Sequence, residues 1–235
     1  MTGPRARVRA ELTGEIKQLA RKQLAEVGAP NLSLRAIARD LGMASSAMYR
    51  YFASRDELLT ALIIDAYEAI GAEAERADRE LGPAEAPLRW STACWAAYRW
   101  SLANPAEFAL IFGTPVPGYV APPDTIGPAA RFTVVLLSIV EQVQSTPQNS
   151  QVTSPSGQIP LSDAIRADLV ALTDRVGTTV QPELMMIGLH LWVSLIGTIS
   201  FILFGHFNNV IEDREAFFDT TVEMLGAEMF GDPST

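Results

Sequence analysis

A single glycine separates two short helical patterns near the start of this 235-residue chain, and no other feature restricts the fold as strongly. Ser33 is placed to cap the first pattern, whose apolar side chains share one helix face: Leu34, Ile37, Ala38 and Leu41. Gly42 then ends that helix and allows the backbone angle of a tight turn. The second pattern runs from Ser45 to Tyr51. Two short helices joined by a tight glycine turn predict a helix-turn-helix.

The second of these helices begins with small side chains, which suit insertion into the major groove of DNA. Ser45 and Ser46 can form hydrogen bonds to base edges or phosphates, and the hydroxyl groups of Tyr49 and Tyr51 can reach phosphates. Positive charges that would neutralise phosphates flank the helix: Arg35, Arg50 and Arg55. The alternative is a three-helix bundle that binds no DNA and whose arginines are only solvated.

Charge is distributed unevenly along the chain, although the formal net charge is −9. Residues 1–60 hold ten Lys and Arg against six Asp and Glu, a net of +4, so that the remainder carries −13. A DNA backbone would attract the first segment and repel the second, although chance clustering of surface charge would give the same pattern. Residues 1–10 are predicted to form a flexible basic arm along the DNA through Arg5, Arg7 and Arg9.

Residues 11–60 resemble the DNA-binding domain of the tetracycline-repressor (TetR-like) family. The similarity is carried by Ala25-Glu26-Val27-Gly28, Leu32 to Ala38, Leu41-Gly42-Met43, Met48 to Phe52 and Ser54 to Leu59. The resemblance implies a transcriptional repressor and assigns the DNA-contact positions to Ser33, Arg35, Ala44, Ser45, Ser46, Tyr49, Tyr51 and Arg55. The second helix of this chain has few long polar side chains, so few direct contacts to bases are expected. The operator sequence therefore cannot be inferred.

The remainder of the chain is predicted to be helical, since it shows no sustained two-residue alternation bounded by hairpin turns. A long helix is expected from Arg55 to Leu81, followed by helices over about 87–103, 105–112, 128–144, 161–176, 182–207 and 214–230. The Ser-, Gln- and Pro-rich residues 145–158 are expected to form a flexible loop. The predicted fold is all-α, with an N-terminal helix-turn-helix domain over residues 1–54 and a larger helical domain over residues 55–235.

Aromatic and methionine side chains are more numerous in the second domain than packing requires, which is typical of a site for a small apolar molecule. Residues 97–99, residues 104–113, and Trp192 with Gly197 resemble one C-terminal subclass of the same family, which carries Trp, His and Gly motifs. The predicted ligand-binding residues are Trp95, Tyr98, Trp100, Phe108, Phe112, Met186, His190 and Ser194. Each of the aromatic residues, and His190, can equally be ordinary core, so the prediction of a pocket rests mainly on the resemblance.

The last two predicted helices are expected to form a homodimer. The segment 182–207 is too apolar for the surface of a monomer, and Gly188 and Gly197 permit close approach of helices. The predicted interface residues are Leu191, Leu195, Ile199, Phe217, Val222 and Leu225. The last two helices of two chains would form a four-helix interface with two-fold symmetry. This symmetry implies a pseudo-palindromic operator, with the two DNA-reading helices roughly 34–36 Å apart or a multiple of that distance.

Other classes of protein fit the sequence poorly. The chain has two histidines and one cysteine, and it lacks a glycine-rich phosphate loop, zinc-ligand spacing and a nucleophile turn. We therefore predict no enzyme activity, no metal and no cofactor. A disulfide within the chain is impossible with Cys94 alone, which fits a cytoplasmic protein.

A membrane span is the remaining alternative. Leu184 to Phe204 covers 21 residues without a formal charge, which is long enough to cross a bilayer. The segment also contains a histidine and several hydroxyl groups, so we predict a core or interface helix and no membrane. The sequence as a whole predicts a repressor that a small apolar or aromatic effector releases from its operator. A transcriptional activator of the same fold stays open, because the sign of regulation depends on operator position.

Overall fold

The computed structural model describes residues 3–145 and 160–231, and within these ranges it is helical and has no strand. The helices are α1 (Pro4–Val27), α2 (Leu34–Asp40), α3 (Ser45–Met48), α4 (Arg55–Leu81), α5 (Ala86–Ala103), α6 (Pro105–Phe112), α7 (Ile126–Ser145), α8 (Asp163–Val176), α9 (Pro182–Leu203) and α10 (Arg214–Phe230). The all-α prediction is confirmed. The loop predicted over 145–158 lies outside the described residues except for Ser145, which ends α7.

Two compact units divide the described chain. The first comprises residues 3–69 and 103–129, and the second comprises residues 70–102, 130–145 and 160–231. The predicted boundary after residue 54 differs from this division, because the first half of α4 supplies Leu58, Leu59 and Leu62 to the core of the first unit. Val116, in the loop after α6, is buried in the same core.

The helix-turn-helix forms as the sequence pattern predicts. The Ser33 hydroxyl caps α2 by accepting a hydrogen bond from the backbone N–H of Ala36. Gly42 has a φ of 65°, a left-handed conformation that a side chain would strain. The Met43 N–H donates to the Ala38 carbonyl across the turn at 2.8 Å. Met48 is fully buried and anchors α3 to the core, whereas Ser45 and Ser46 at the start of the helix are exposed.

The N-terminal residues differ from the prediction of a flexible arm. Pro4 to Ala10 form the first turns of α1, so the predicted arm is wrong over these residues. Pro4 lies at the start of the helix, where its fixed φ fits and its missing N–H is not needed. Within this helix the Thr13 hydroxyl donates to the Arg9 carbonyl at 2.8 Å.

Asp65 connects α1 to α4 through two short ion pairs. Its carboxylate lies 2.7 Å from Lys17 Nζ and 2.7 Å from Arg21 Nη2, and its side chain is only 23% exposed. Arg21 Nε also lies 3.1 Å from Glu107 on α6. This network therefore ties both α4 and α6 to the first helix.

Replacing Asp65 with asparagine is expected to lower the free energy of unfolding by about 1–2 kcal/mol, because two partly buried cations lose their counter-charge. Thermal or urea unfolding of the full chain measures this change. Glu73→Gln serves as the control, since Glu73 pairs with Arg76 in solvent on α4. A stability change no larger than that of the control would contradict the structural role of Asp65.

Helix α9 turns inward the face that was predicted to pair with a second chain. Leu191, Leu195 and Ile199 are fully buried within the chain itself. Val222 and Leu225 of α10 are buried too, and Phe217 is half-buried with its ring 4.9 Å from that of Phe207. The predicted interface residues are therefore wrong, apart from the half-buried Phe217. A helix that is apolar all round gives no signal of which face is buried.

Two stretches are long and apolar enough to cross a membrane, not the single one predicted. They are 123–145, with a mean hydropathy of 1.4, and α9, with a mean hydropathy of 1.9. Core and interface helices of soluble proteins pass the same test, so length and composition are weak evidence here. Only 28% of this apolar stretch of α9 is buried within the chain, so most of it forms an apolar surface on the single chain.

Candidate nucleic-acid interface

The start of α3 presents small side chains to solvent. Ala44, Ser45 and Ser46 are all exposed, and Tyr49 directly after the helix is 46% exposed. Tyr51 is half-buried. A helix end without bulky side chains can approach base edges closely, and the hydroxyl groups can bond to bases or phosphates.

Helix α2 carries Arg35 in its first turn and is capped by the hydroxyl of Ser33. Arg35 is exposed, and the described part of the chain offers it no ion pair. Ser33 is half-buried, and its backbone N–H donates to Gln23 Oε1 at 3.1 Å. The Ser33 side chain is therefore already used in forming α2, whereas Arg35 is available to a phosphate.

The first turns of α1 and the residues after α3 line an open groove. Its walls are Pro4, Arg5, Val8, Arg9, Arg50 and Tyr51. Arg9 Nη2 donates to the Arg50 carbonyl at 2.9 Å, and the Arg9 guanidinium lies 5.3 Å from the centre of the Tyr51 ring. Arg9 thus connects α1 to the end of the helix-turn-helix. Three guanidinium groups around one groove make it strongly positive.

Arg7 and Arg55 were both predicted to contact DNA, and they lie in different surroundings. Arg7 is highly exposed, with Glu11 at 3.9 Å as a loose partner. Arg55 instead donates from Nη2 to the carbonyls of Ala29 at 2.8 Å and Pro30 at 3.1 Å. Its Nε is buried and has no hydrogen-bond partner within the described residues. These bonds make Arg55 a residue that fixes the turn before α2, which is not the phosphate contact that the sequence predicted.

The predicted ligand-binding residues are not brought together by the structure. Phe108 and Phe112 belong to the first unit, where Phe108 is fully buried and Phe112 meets the Tyr67 ring edge-on at 5.9 Å. The other six lie in the second unit. Met186 and His190 are exposed on α9, and Ser194 is half-buried.

The aromatic residues of α5 are used in packing against α10. Tyr98 stacks on Phe218 with ring centres 4.1 Å apart, and Trp95 donates from Nε1 to Asp219 at 3.1 Å. Burial raises the pKa of the Tyr98 hydroxyl, and it raises the pKa of the fully buried Cys94 thiol well above its usual value. Both groups are therefore neutral near pH 7. Trp100, which lies on the same helix, is also buried.

A cavity lies between α7, α8 and α9, and none of the eight predicted ligand-binding residues lines it. Its α9 wall is formed by Met185, Gly188, Leu189 and Trp192. Three of these four are large apolar residues at spacings of four and three, which place them on one helix face. This spacing is visible in the sequence, but α9 is apolar on every face, so the spacing does not single out this face. Within the described residues, no cluster of His, Cys, Asp and Glu could hold a metal ion.

Known proteins resemble the chain over nearly its whole length. Residues 16–62 match the model for bacterial regulatory proteins of the tetR family, and residues 90–225 match the tetracyclin repressor-like C-terminal domain. HTH-type transcriptional regulators of Mycobacterium tuberculosis and Mycobacterium bovis are 36% identical over 231 residues, which is 96% of this chain and 95% of theirs. A regulatory protein of known crystal structure is 33% identical, with a TM-score of 0.75 over 95% of this chain and 98% of its own. The chain therefore belongs to the TetR family of bacterial transcriptional regulators.

Proposed function

We propose that this chain is a cytoplasmic repressor that binds a pseudo-palindromic DNA operator as a homodimer and releases it when a small molecule binds. The observation that carries the DNA-binding proposal is the exposed set of Ser45, Ser46 and Tyr49 on a unit that also exposes Arg35 and Arg50. These residues lie in the part of the sequence with a net charge of +4, whereas the rest of the chain is acidic. Duplex DNA is the polyanion that fits a slim helix end beside cations.

The proposed contacts divide into base reading and backbone binding. Ala44, Ser45 and Ser46 enter the major groove, where they offer two hydroxyl groups and little bulk. Tyr49, Tyr51, Arg35 and Arg50 bind phosphates, and Arg7 extends the positive surface along α1. Because only two short side chains read bases directly, shape and phosphate spacing are expected to contribute much of the specificity.

Arg9 is proposed to position the end of the helix-turn-helix as well as to attract DNA. The substitution Arg9→Lys keeps the charge but loses the planar group that lies over Tyr51 and the donor to the Arg50 carbonyl. We expect operator affinity to fall by about three- to tenfold while the slope of log affinity against log salt stays unchanged. Arg7→Lys is the control and should behave like the parent. If Arg9→Lys binds as tightly as the parent, Arg9 does not position this surface.

The dimer surface is proposed on the face of α9 that points away from the core. Met186, Val193 and Phe201 are 41%, 59% and 51% exposed. With Gly197, these positions fall within about 80° of one another around the helix, roughly opposite the buried positions of α9. Met224 of α10 is also exposed, at 66%. An apolar stripe of this length is unusual on a monomer and fits two-fold pairing with a second copy.

Release of the operator requires a molecule that prefers one of two arrangements of the dimer. A coupling free energy of about 1–3 kcal/mol would change operator affinity roughly 5- to 150-fold. The second unit is proposed to bind this effector, because it contains the apolar cavity between α7, α8 and α9.

The experiment that tests the proposed function is selection of bound sequences from random duplex DNA by the purified full-length protein. We expect enrichment of an inverted repeat, and light scattering of the protein is expected to give the mass of two chains. Failure to enrich any sequence, or enrichment of a single half-site by a monomer, would refute the proposal. A reporter gene behind the selected operator then decides between repression and activation, because loss of a repressor raises expression.

A further inference from the structure

The cavity between α7, α8 and α9 is open to solvent on one side and is lined almost entirely by apolar side chains. Its volume is about 160 Å³, and its walls include Leu137 and Val140 of α7, Leu172 of α8, and Leu189 and Trp192 of α9. Among the described residues, none of those that line it is charged. Thr133 is the one hydroxyl-bearing residue in this described wall, and its hydroxyl already donates to the Ala130 carbonyl at 2.8 Å. An ion seated against this apolar wall would lose part of its hydration without compensation, so the cavity suits an uncharged molecule.

One polar atom of this wall has no hydrogen-bond partner in the described part of the chain. Trp192 Nε1 is buried, and no described residue accepts a hydrogen bond from it. Two other indole groups of the same unit are satisfied, since Trp90 donates to the Val222 carbonyl at 3.0 Å and Trp95 donates to Asp219 at 3.1 Å. An indole N–H can only donate, and leaving it buried and unpaired destabilises the protein. A ligand with an acceptor would relieve this destabilisation.

We infer that this cavity is the effector site and that it binds an uncharged, largely apolar molecule carrying one hydrogen-bond acceptor, which accepts from Trp192 Nε1. An apolar cavity of about 150 Å³ can hold benzene, so the ligand is of one or two small rings. The identification as effector site rests on the proposed function, whereas binding of the molecule does not. The site lies apart from Trp95 and Tyr98 of α5, which the sequence pointed to and which the structure uses in packing.

The test uses two probes of nearly equal shape, 1-indanone, which has a carbonyl acceptor, and indane, which has none. Both are titrated into the full-length protein, and the indole N–H resonances are followed by NMR, with that of Trp192 assigned through Trp192→Phe. We expect 1-indanone to shift the Trp192 indole resonance and to bind about five- to tenfold more tightly than indane. In Trp192→Phe the two probes are expected to bind equally, because an aromatic ring remains and the donor is gone.

Trp95→Phe is the matched control and should leave the affinity of both probes unchanged. A second variant, Leu172→Trp, fills the cavity and is expected to abolish binding of both probes while the protein stays folded. The inference is overturned if neither probe binds at millimolar concentration, if Trp95→Phe removes binding, or if Trp192→Phe leaves the preference for 1-indanone intact. Operator binding is measured separately in each variant. A protein that binds 1-indanone but no DNA would contradict the proposed function and not the site.

Discussion

Replacing Arg35 with glutamate is expected to lower operator affinity by about two to three orders of magnitude. Removing one phosphate contact at about 0.15 M salt weakens binding roughly fivefold, and a carboxylate at the same place adds repulsion of similar size. One DNA-binding unit is therefore weakened about 10- to 30-fold. In the proposed dimer the effect would multiply over the two units, since both Arg35 side chains would face the same duplex. Arg35 is exposed and has no ion pair in the described chain, so the fold should not suffer.

Fluorescence anisotropy with the selected operator at several salt concentrations measures this effect. The salt dependence should become shallower, because fewer counterions are released when Arg35 no longer neutralises a phosphate. Lys22→Glu is the control, since Lys22 is exposed on α1 with only Glu26 at 3.9 Å as partner. Equal decreases in affinity in the two variants would mean that bulk charge, and not the predicted phosphate binding by α2, attracts the DNA.

Introducing arginine at Val193 is expected to raise the dissociation constant of the homodimer about 1,000-fold or more. Val193 lies in the exposed apolar stripe of α9, and a two-fold interface would bury two copies of the new charge against apolar side chains. Burying an unpaired charge costs several kcal/mol, and about 4 kcal/mol corresponds to a factor of 1,000. Operator binding should weaken in parallel, because a monomer can occupy only one half of the inverted repeat.

Sedimentation or light scattering over a range of protein concentrations follows the change in mass. Leu88→Arg provides the matched control, because Leu88 is an exposed apolar residue on α5 of the same unit, outside the stripe. A dimer that persists in Val193→Arg would place the interface elsewhere on the chain. Far-UV circular dichroism of both variants checks that the helices remain intact.

Sequence patterns were sufficient wherever a helix has one apolar face and clear ends. Ser33, Gly42 and the apolar positions of α2 predicted the helix-turn-helix, and Met48 is buried as its position required. Arg35 and Tyr49 are exposed as a DNA-binding surface needs. Local rules act within a few residues, so capping, turn geometry and periodicity can be read directly from the chain.

The sequence was insufficient where tertiary packing decides between equivalent choices. Helix α9 is apolar on all sides, and only its neighbours determine that Leu191 faces inward and Val193 outward. The sequence does not distinguish Arg55 from the other arginines near α3, yet in the structure its guanidinium donates hydrogen bonds to the carbonyls of Ala29 and Pro30. The unpaired N–H of Trp192 is likewise visible only when every potential acceptor around it is known.

Residues 103–129 belong to the first unit although they lie in sequence between two parts of the second. Glu107 pairs with Arg21 and Val116 enters the core around α1, so the DNA-binding head is completed by residues far along the chain. A recombination event that joins the first 54 residues of one regulator to the body of another therefore separates the head from part of its own interior. Hybrid regulators with new operator preferences should inherit residues 103–129 from the same parent as α1, and evolution by exchange of whole heads is correspondingly restricted.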